Sequence, residues 1–132
     1  MTKALRATGS CLCGGVCYEV HGALSEVSAC HCSQCARTTG HHLASTNCAN
    51  DDLVLTTSQT LRWYRSSEKA ERGFCSACGG NLFWRAFGAG ETSIAAGTID
   101  RPTGLMLTSH IYTASKSDYY IIADGAEQYE VS

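Results

Sequence analysis

The chain has 132 residues, 44% of them hydrophobic, a length that predicts one domain spanning residues 1–132. Its net charge of −2 comes from ten basic against twelve acidic side chains scattered along the sequence, which leaves no electrostatic case for nucleic acid. No stretch approaches the roughly 20 apolar residues of a membrane helix. The first ten residues hold Lys3 and Arg6 but no apolar run, so no secretory leader is predicted and a cytoplasmic location is expected.

Taken in chain order, the pattern is mostly β. Residues 16–20 alternate, with Val16, Tyr18 and Val20 on one face, as a half-buried strand does. The one helical candidate is short, residues 33–39, ended by Gly40, and Thr38 and Thr39 weaken it. Residues 52–56 and 60–65 flank Thr57-Ser58-Gln59 and predict a hairpin. Residues 81–86, 91–99 and 105–113 are three further strand candidates, separated by turn signals at Gly88-Ala89-Gly90 and around Pro102. Residues 119–123 predict a last strand before Asp124-Gly125. Trp63, Tyr64, Phe74, Phe83, Trp84 and Phe87 are expected in the core.

Seven of the nine cysteines fall into tight clusters: Cys11 and Cys13; Cys30, Cys32 and Cys35; Cys75 and Cys78. A cystine-stapled secreted domain spreads its cysteines so that bridges join distant loops. Cysteines one or two residues apart in a cytosolic chain read instead as metal ligands. Cys11-Leu12-Cys13-Gly14-Gly15 and Cys75-Ser76-Ala77-Cys78-Gly79-Gly80 share one plan, sulfurs followed by two glycines. Such glycines turn the backbone tightly at positive φ and aim its amides at the sulfurs. Two such knuckles clip the start of the chain to its middle around one four-thiolate metal, zinc or iron. Cys30, Cys32 and Cys35 make a second, three-sulfur group.

A three-sulfur site leaves a coordination position open, which is where zinc chemistry occurs. His31 lies between two of these ligands, so its side chain is expected to point away, although it is the nearest candidate fourth ligand. Cys17 and Cys48 are the other candidates to close the site; as free thiols they read as small buried hydrophobes. Arg37 is the nearest cation in sequence, a substrate clamp or a solvated surface group. His110 is a candidate for proton transfer, or a half-buried histidine satisfied by backbone. His41 and His42 are expected exposed in a loop.

The three-part cysteine signature strongly resembles the glutathione-dependent formaldehyde-activating (Gfa) family. It runs Gly9-Ser10-Cys11-Leu12-Cys13-Gly14-Gly15-Val16, then Cys30-His31-Cys32-Ser33-Gln34-Cys35, then Gly73-Phe74-Cys75-Ser76-Ala77-Cys78-Gly79. Arg65-Ser66-Ser67, Arg72-Gly73-Phe74, Ala96-Gly97-Thr98-Ile99-Asp100 and Ser109-His110-Ile111-Tyr112 extend the likeness over about residues 9–130. Where many members carry a tryptophan after the Ser-Lys step, this chain has Tyr119 and Tyr120.

The resemblance implies a metal-clipped β-tent of antiparallel sheets with little helix. It implies that Cys11, Cys13, Cys75 and Cys78 hold a structural Zn²⁺, and that Cys30, Cys32 and Cys35 form a labile catalytic zinc site. It implies a carbon–sulfur lyase of the S-(hydroxymethyl)glutathione synthase kind, with a small thiol such as glutathione and an aldehyde such as formaldehyde as partners. The alternative is a non-catalytic zinc-binding or redox-sensing interaction domain, in which a recruited fourth residue closes the triplet.

Overall fold

The computed structural model describes residues 3–132. In chain order its strands are β1 (Ala7–Ser10), β2 (Cys17–Val20), β3 (Val27–Cys30), β4 (Leu43–Ala49), β5 (Leu53–Thr57), β6 (Leu61–Arg65), β7 (Ala70–Cys75), β8 (Asn81–Ala86), β9 (Glu91–Ala95), β10 (Leu107–Ile111) and β11 (Glu127–Gln128). One α-helix, α1 (Ser33–Thr39), lies between β3 and β4. A three-stranded antiparallel sheet runs β1-β2-β5, and an eight-stranded sheet runs β11-β10-β3-β4-β9-β8-β7-β6. The larger sheet is mixed, because β10 is parallel to both β3 and β11.

The core joins the two sheets. Val16, Tyr18 and Val20, on the inward face of β2 and just before it, are all at most 1% exposed. They share one cluster with Cys48 of β4, Leu82 and Phe83 of β8, Ile94 of β9, and Ile99. Tyr18 meets Phe83 edge-on, ring centroids 5.5 Å apart. Each such aliphatic or aromatic side chain contributes about 1.5–3 kcal/mol by leaving water, so the alternation in β2 packs the small sheet against the large one.

The helix has the expected bounds, and its caps explain why seven residues suffice. The Sγ of Cys32 accepts from the Cys35 amide at the N-terminus, and Gly40 turns left-handed at φ 85° to close the C-terminus. Thr38 and Thr39 each donate a hydroxyl to the Cys35 carbonyl, which absorbs the threonines that weaken the segment.

Several sequence expectations need correction. The segments flanking 57–59 do not pair as a hairpin: β5 hydrogen-bonds β2 in the small sheet, while β6 pairs with β7 in the large one. The chain reverses there, with Leu61 N–H donating to the Ser58 carbonyl, but it also changes sheets. Residues 119–123 form no strand. Lys116 donates its ammonium to the Tyr120 carbonyl, and both tyrosine hydroxyls are bound to histidines, so the segment is held by side chains rather than a ladder. Of the six aromatics assigned to the core, Tyr64 and Phe87 are exposed, at 62% and 47%. Tyr64 lies on the edge strand β6, and Arg65 covers the Phe87 ring from outside at 5.1 Å.

Candidate metal centres and the cleft beside them

Cys11 ends the β1 side of one turn and Cys13 lies within it; Cys75 ends β7, and Cys78 lies in the turn leading to β8. The fold brings all four sulfurs within 4.8 Å of one another. Cys13 Sγ lies 3.7 Å from Cys11 Sγ and 3.6 Å from Cys75 Sγ. A tetrahedron with metal–sulfur bonds of about 2.3 Å has edges of about 3.8 Å, so the spacing fits zinc. The turns are built as the glycine pairs predict. Gly14 and Gly79 have φ of 77° and 78°, and each closes its turn on the carbonyl of the preceding cysteine, Cys11 or Cys75.

Backbone amides point at the sulfurs. Val16 N–H donates to Cys11 Sγ at 3.3 Å, Gly15 N–H to Cys13 Sγ at 3.4 Å, and Cys78 N–H to Cys75 Sγ at 3.4 Å. The Thr60 hydroxyl, 3.2 Å away, is the largest influence holding the Cys75 thiol down to about 6, with the Cys78 amide next. At Cys13 the Gly15 amide works in the same direction, but the neighbouring sulfurs outweigh it and push that thiol up to about 11. Four sulfurs this close cannot all ionise without a cation among them.

Cys30, Cys32 and Cys35 also lie within 4.8 Å of one another, and among the described residues no other Cys, His, Asp or Glu joins them. Cys30 is the last residue of β3, Cys32 caps α1, and Cys35 is buried one turn into the helix. The strand-to-helix corner is therefore what gathers the three sulfurs. A hydrogen bond from Cys30, then one from Cys32 and the Arg72 guanidinium, hold the Cys35 thiol down to about 6 against the opposing effect of burial. Cys30 is pushed upward by the same contact with Cys35. Cys35 thus ionises before Cys30.

His31 points away from the sulfurs, as its position predicts. It is 2% exposed, and both ring nitrogens are taken: Nδ1 by the Tyr120 hydroxyl and Nε2 by His110 Nδ1 at 2.9 Å. His110 Nε2 in turn lies 2.8 Å from an Asp124 carboxylate oxygen. A carboxylate only accepts, so His110 donates there. With both imidazoles neutral the chain runs one way, Tyr120 to His31 to His110 to Asp124. Burial holds His31 down to about 4, which keeps it neutral. His110 is therefore satisfied by side chains, not by backbone. His41 is exposed as expected, whereas His42 is half-buried, with its Nδ1 buried and unpartnered. Cys48 is a buried core thiol, and Cys17 donates its thiol to the Gly14 carbonyl at 3.2 Å.

The sequence reading assigned no chemistry to Arg72, Tyr120 or Asp124. Arg72 is inward-facing on β7 and 7% exposed, with Nη2 at 3.7 Å from Cys35 Sγ and 3.5 Å from Gln34 Oε1. Its inward position left no signal, because beside Glu71 it reads as part of a solvated charged pair. Tyr120 and Asp124 gave none, because their partners lie far away in sequence. Arg37 is exposed on α1, at the wall of an open cleft of about 410 Å³ that Arg72 also lines.

A mainly β protein with a four-cysteine and a three-cysteine cluster, each able to hold a metal, is the class of molecule that this geometry defines. The chain belongs to the glutathione-dependent formaldehyde-activating enzyme family, whose profile matches residues 6–115. No curated protein gives a significant match. The crystal structure of a Rhodobacter sphaeroides protein is similar in fold, with a TM-score of 0.60 at 20% identity over 92% of this chain and 98% of that one.

Proposed function

We propose that this chain is a zinc-dependent carbon–sulfur lyase that joins a small thiol such as glutathione to formaldehyde or a related aldehyde, and splits the adduct in reverse. The observation that supports this most is the three-cysteine cluster with no fourth ligand among the described residues, set beside an open cleft. In this reading Cys11, Cys13, Cys75 and Cys78 hold a structural zinc, and Cys30, Cys32 and Cys35 hold the reactive one. With zinc bound, the metal would supply an open position at which a substrate thiol gives up its proton to water.

The chain's own groups do the rest. Three thiolates around a zinc ion would carry a net charge of −1, and Arg72 sets a cation against Cys35. Cys32 holds its place in the cluster by capping α1. His31, bound at both ring nitrogens, anchors the loop between Cys30 and Cys32 to the C-terminal segment. In the reaction, a thiolate lone pair forms the C–S bond to the aldehyde carbon. The carbonyl π pair moves to oxygen, which takes a proton from water to give the hydroxymethyl thioether.

Proton NMR exchange between glutathione and its hydroxymethyl adduct tests the reading. Exchange should exceed the uncatalysed rate and fall to it in Cys35→Ala, while far-UV circular dichroism stays unchanged. Exchange at the uncatalysed rate in parent protein with two bound zinc ions would refute the formaldehyde reaction.

A further inference from the structure

The corner that carries the three sulfurs is gripped at both ends by one segment of the chain. Cys30 is fixed by the sheet, paired with Ile111 of β10 on one side and Leu43 of β4 on the other. β3 ends at Cys30, so Cys32 and Cys35 depend on where α1 sits. Arg72 and Asn81 touch the body of that helix, at the Cys35 sulfur and the Thr38 carbonyl. Its two flanks are held by residues 116–125. Before the helix, His31 Nδ1 is bound by the Tyr120 hydroxyl, and His31 Nε2 leads through His110 to Asp124. After the helix, the Tyr119 hydroxyl meets His41 Nδ1 and lies 3.4 Å from the Gly40 carbonyl oxygen.

Residues 116–125 contain no strand and no helix. Their hydrogen bonds to the rest of the described chain come from three side chains, those of Tyr119, Tyr120 and Asp124. All three end on a flank of α1 or on the histidine that reaches one. His31 points away from the sulfurs, so the grip comes from behind the cluster and leaves its open side free. A ligand loop that is ordered in advance holds a metal more tightly, because binding then removes less conformational freedom. Groups behind the ligands of a metal are commonly worth about 10–100-fold in affinity.

We infer that residues 116–125 form a clasp that positions the three-cysteine corner, so that metal binding at the triplet and docking of the clasp strengthen each other. Tyr119, Tyr120, His110 and Asp124 are its positioning residues. The inference rests on the proposed reading only in that the triplet takes a zinc ion; it asks nothing of the substrate. Coupling of this kind is reciprocal: the factor by which docking raises metal affinity is the factor by which the metal favours docking.

Competition with a chromophoric chelator reads the affinity of the labile zinc. It should fall about tenfold in Asp124→Ala, and at least as far in the double variant Tyr119→Phe, Tyr120→Phe, which keeps both rings. Asp124→Asn, which keeps an oxygen that accepts from His110, should recover most of the loss. Asp118→Ala, an exposed change in the same segment, should match the parent. The four-cysteine equivalent should be held as in the parent throughout. In the other direction, chymotrypsin should cut after Tyr120 about tenfold faster once chelation has taken the labile zinc, because cleavage follows the population of the undocked segment. Affinity within about twofold of the parent in both Asp124→Ala and the tyrosine variant, an equal loss in Asp118→Ala, or cleavage indifferent to the labile zinc would overturn the inference. A parent that takes up only one zinc would overturn it together with the proposed reaction. Coupling without formaldehyde exchange would support the clasp and refute the reaction alone.

Discussion

Tyr18 carries a polar atom into the core and keeps it hydrogen-bonded. The side chain is 1% exposed, and its hydroxyl lies 2.8 Å from Thr98 Oγ1. Burial is the main cause pushing that hydroxyl up to about 12 from the usual 10. The folded value lies above the unfolded one, so the unfolded chain gives up this proton first. The stabilisation is therefore complete below pH 10 and is lost as pH rises towards 12. Tyr18→Phe should cost about 0.5–1.5 kcal/mol at pH 7, the net value of one hydrogen bond, because Thr98 still donates to the Ala95 carbonyl. It should also lose less stability than the parent between pH 10 and 12. Urea denaturation across that range reads both effects, and equal alkaline loss in the two proteins would remove Tyr18 as the titrating group.

At the scale of elements, β1 is fixed by how closely it approaches its neighbours. A Cβ built on Gly9 would lie 2.3 Å from the Tyr18 ring and 2.5 Å from the Thr98 carbonyl oxygen. One of those neighbours is backbone and the other a buried ring, so neither gives way easily. Gly9→Ala should destabilise by about 1–3 kcal/mol, the usual cost of overpacking. Gly97→Ala, whose Cβ meets nothing within 4 Å, should stay within about 0.5 kcal/mol of the parent. Paired thermal melts decide this; equal shifts would show that β1 can move away from Tyr18.

The same elements show what the chain's local chemistry specifies. The residues of α1 were legible because Gly40 marks its end, and β2 because one face is buried and the other is not. The turn at 57–59 was legible as a reversal, but a turn does not say which sheet receives the strand after it. β7 was hidden by Glu71 and Arg72, a charged pair that reads as solvated surface. Arg72 faces inward because α1 and the Cys35 sulfur lie over it. The triplet was legible from spacing alone, since its ligands are a few residues apart and need little from tertiary structure, whereas the two cysteine pairs, with Cys13 and Cys75 62 residues apart, were matched by their shared sulfur-and-glycine plan. The histidine chain was not, because His31, His110 and Asp124 meet only once β10 lies parallel beside β3.

For the whole molecule, the four-cysteine cluster is the joint between the sheets. Cys11 and Cys13 connect β1 to β2 in the small sheet, and Cys75 and Cys78 connect β7 to β8 in the large one. In small zinc domains the metal contributes about 10–16 kcal/mol, as much as the about 5–15 kcal/mol that holds a whole domain folded. The triplet lies instead within one strand-to-helix corner, and no second sheet depends on it. If each cluster holds a metal as proposed, removal of the two should therefore differ in kind. Mild chelation should take one equivalent first, with circular dichroism unchanged, and the second only with cooperative unfolding. Cys32→Ala should bind one equivalent less and still melt cooperatively, at some cost from the lost helix cap. Cys75→Ser should lose its equivalent together with the cooperative transition, because the two sheets are then joined by the apolar contacts around Tyr18 and a few hydrogen bonds from β1 and β2 to residues 98–100. Metal content by atomic absorption, read beside the melts, separates the cases. A Cys75→Ser protein that melts like the parent with two metals bound would mean that packing and hydrogen bonds join the sheets without this site.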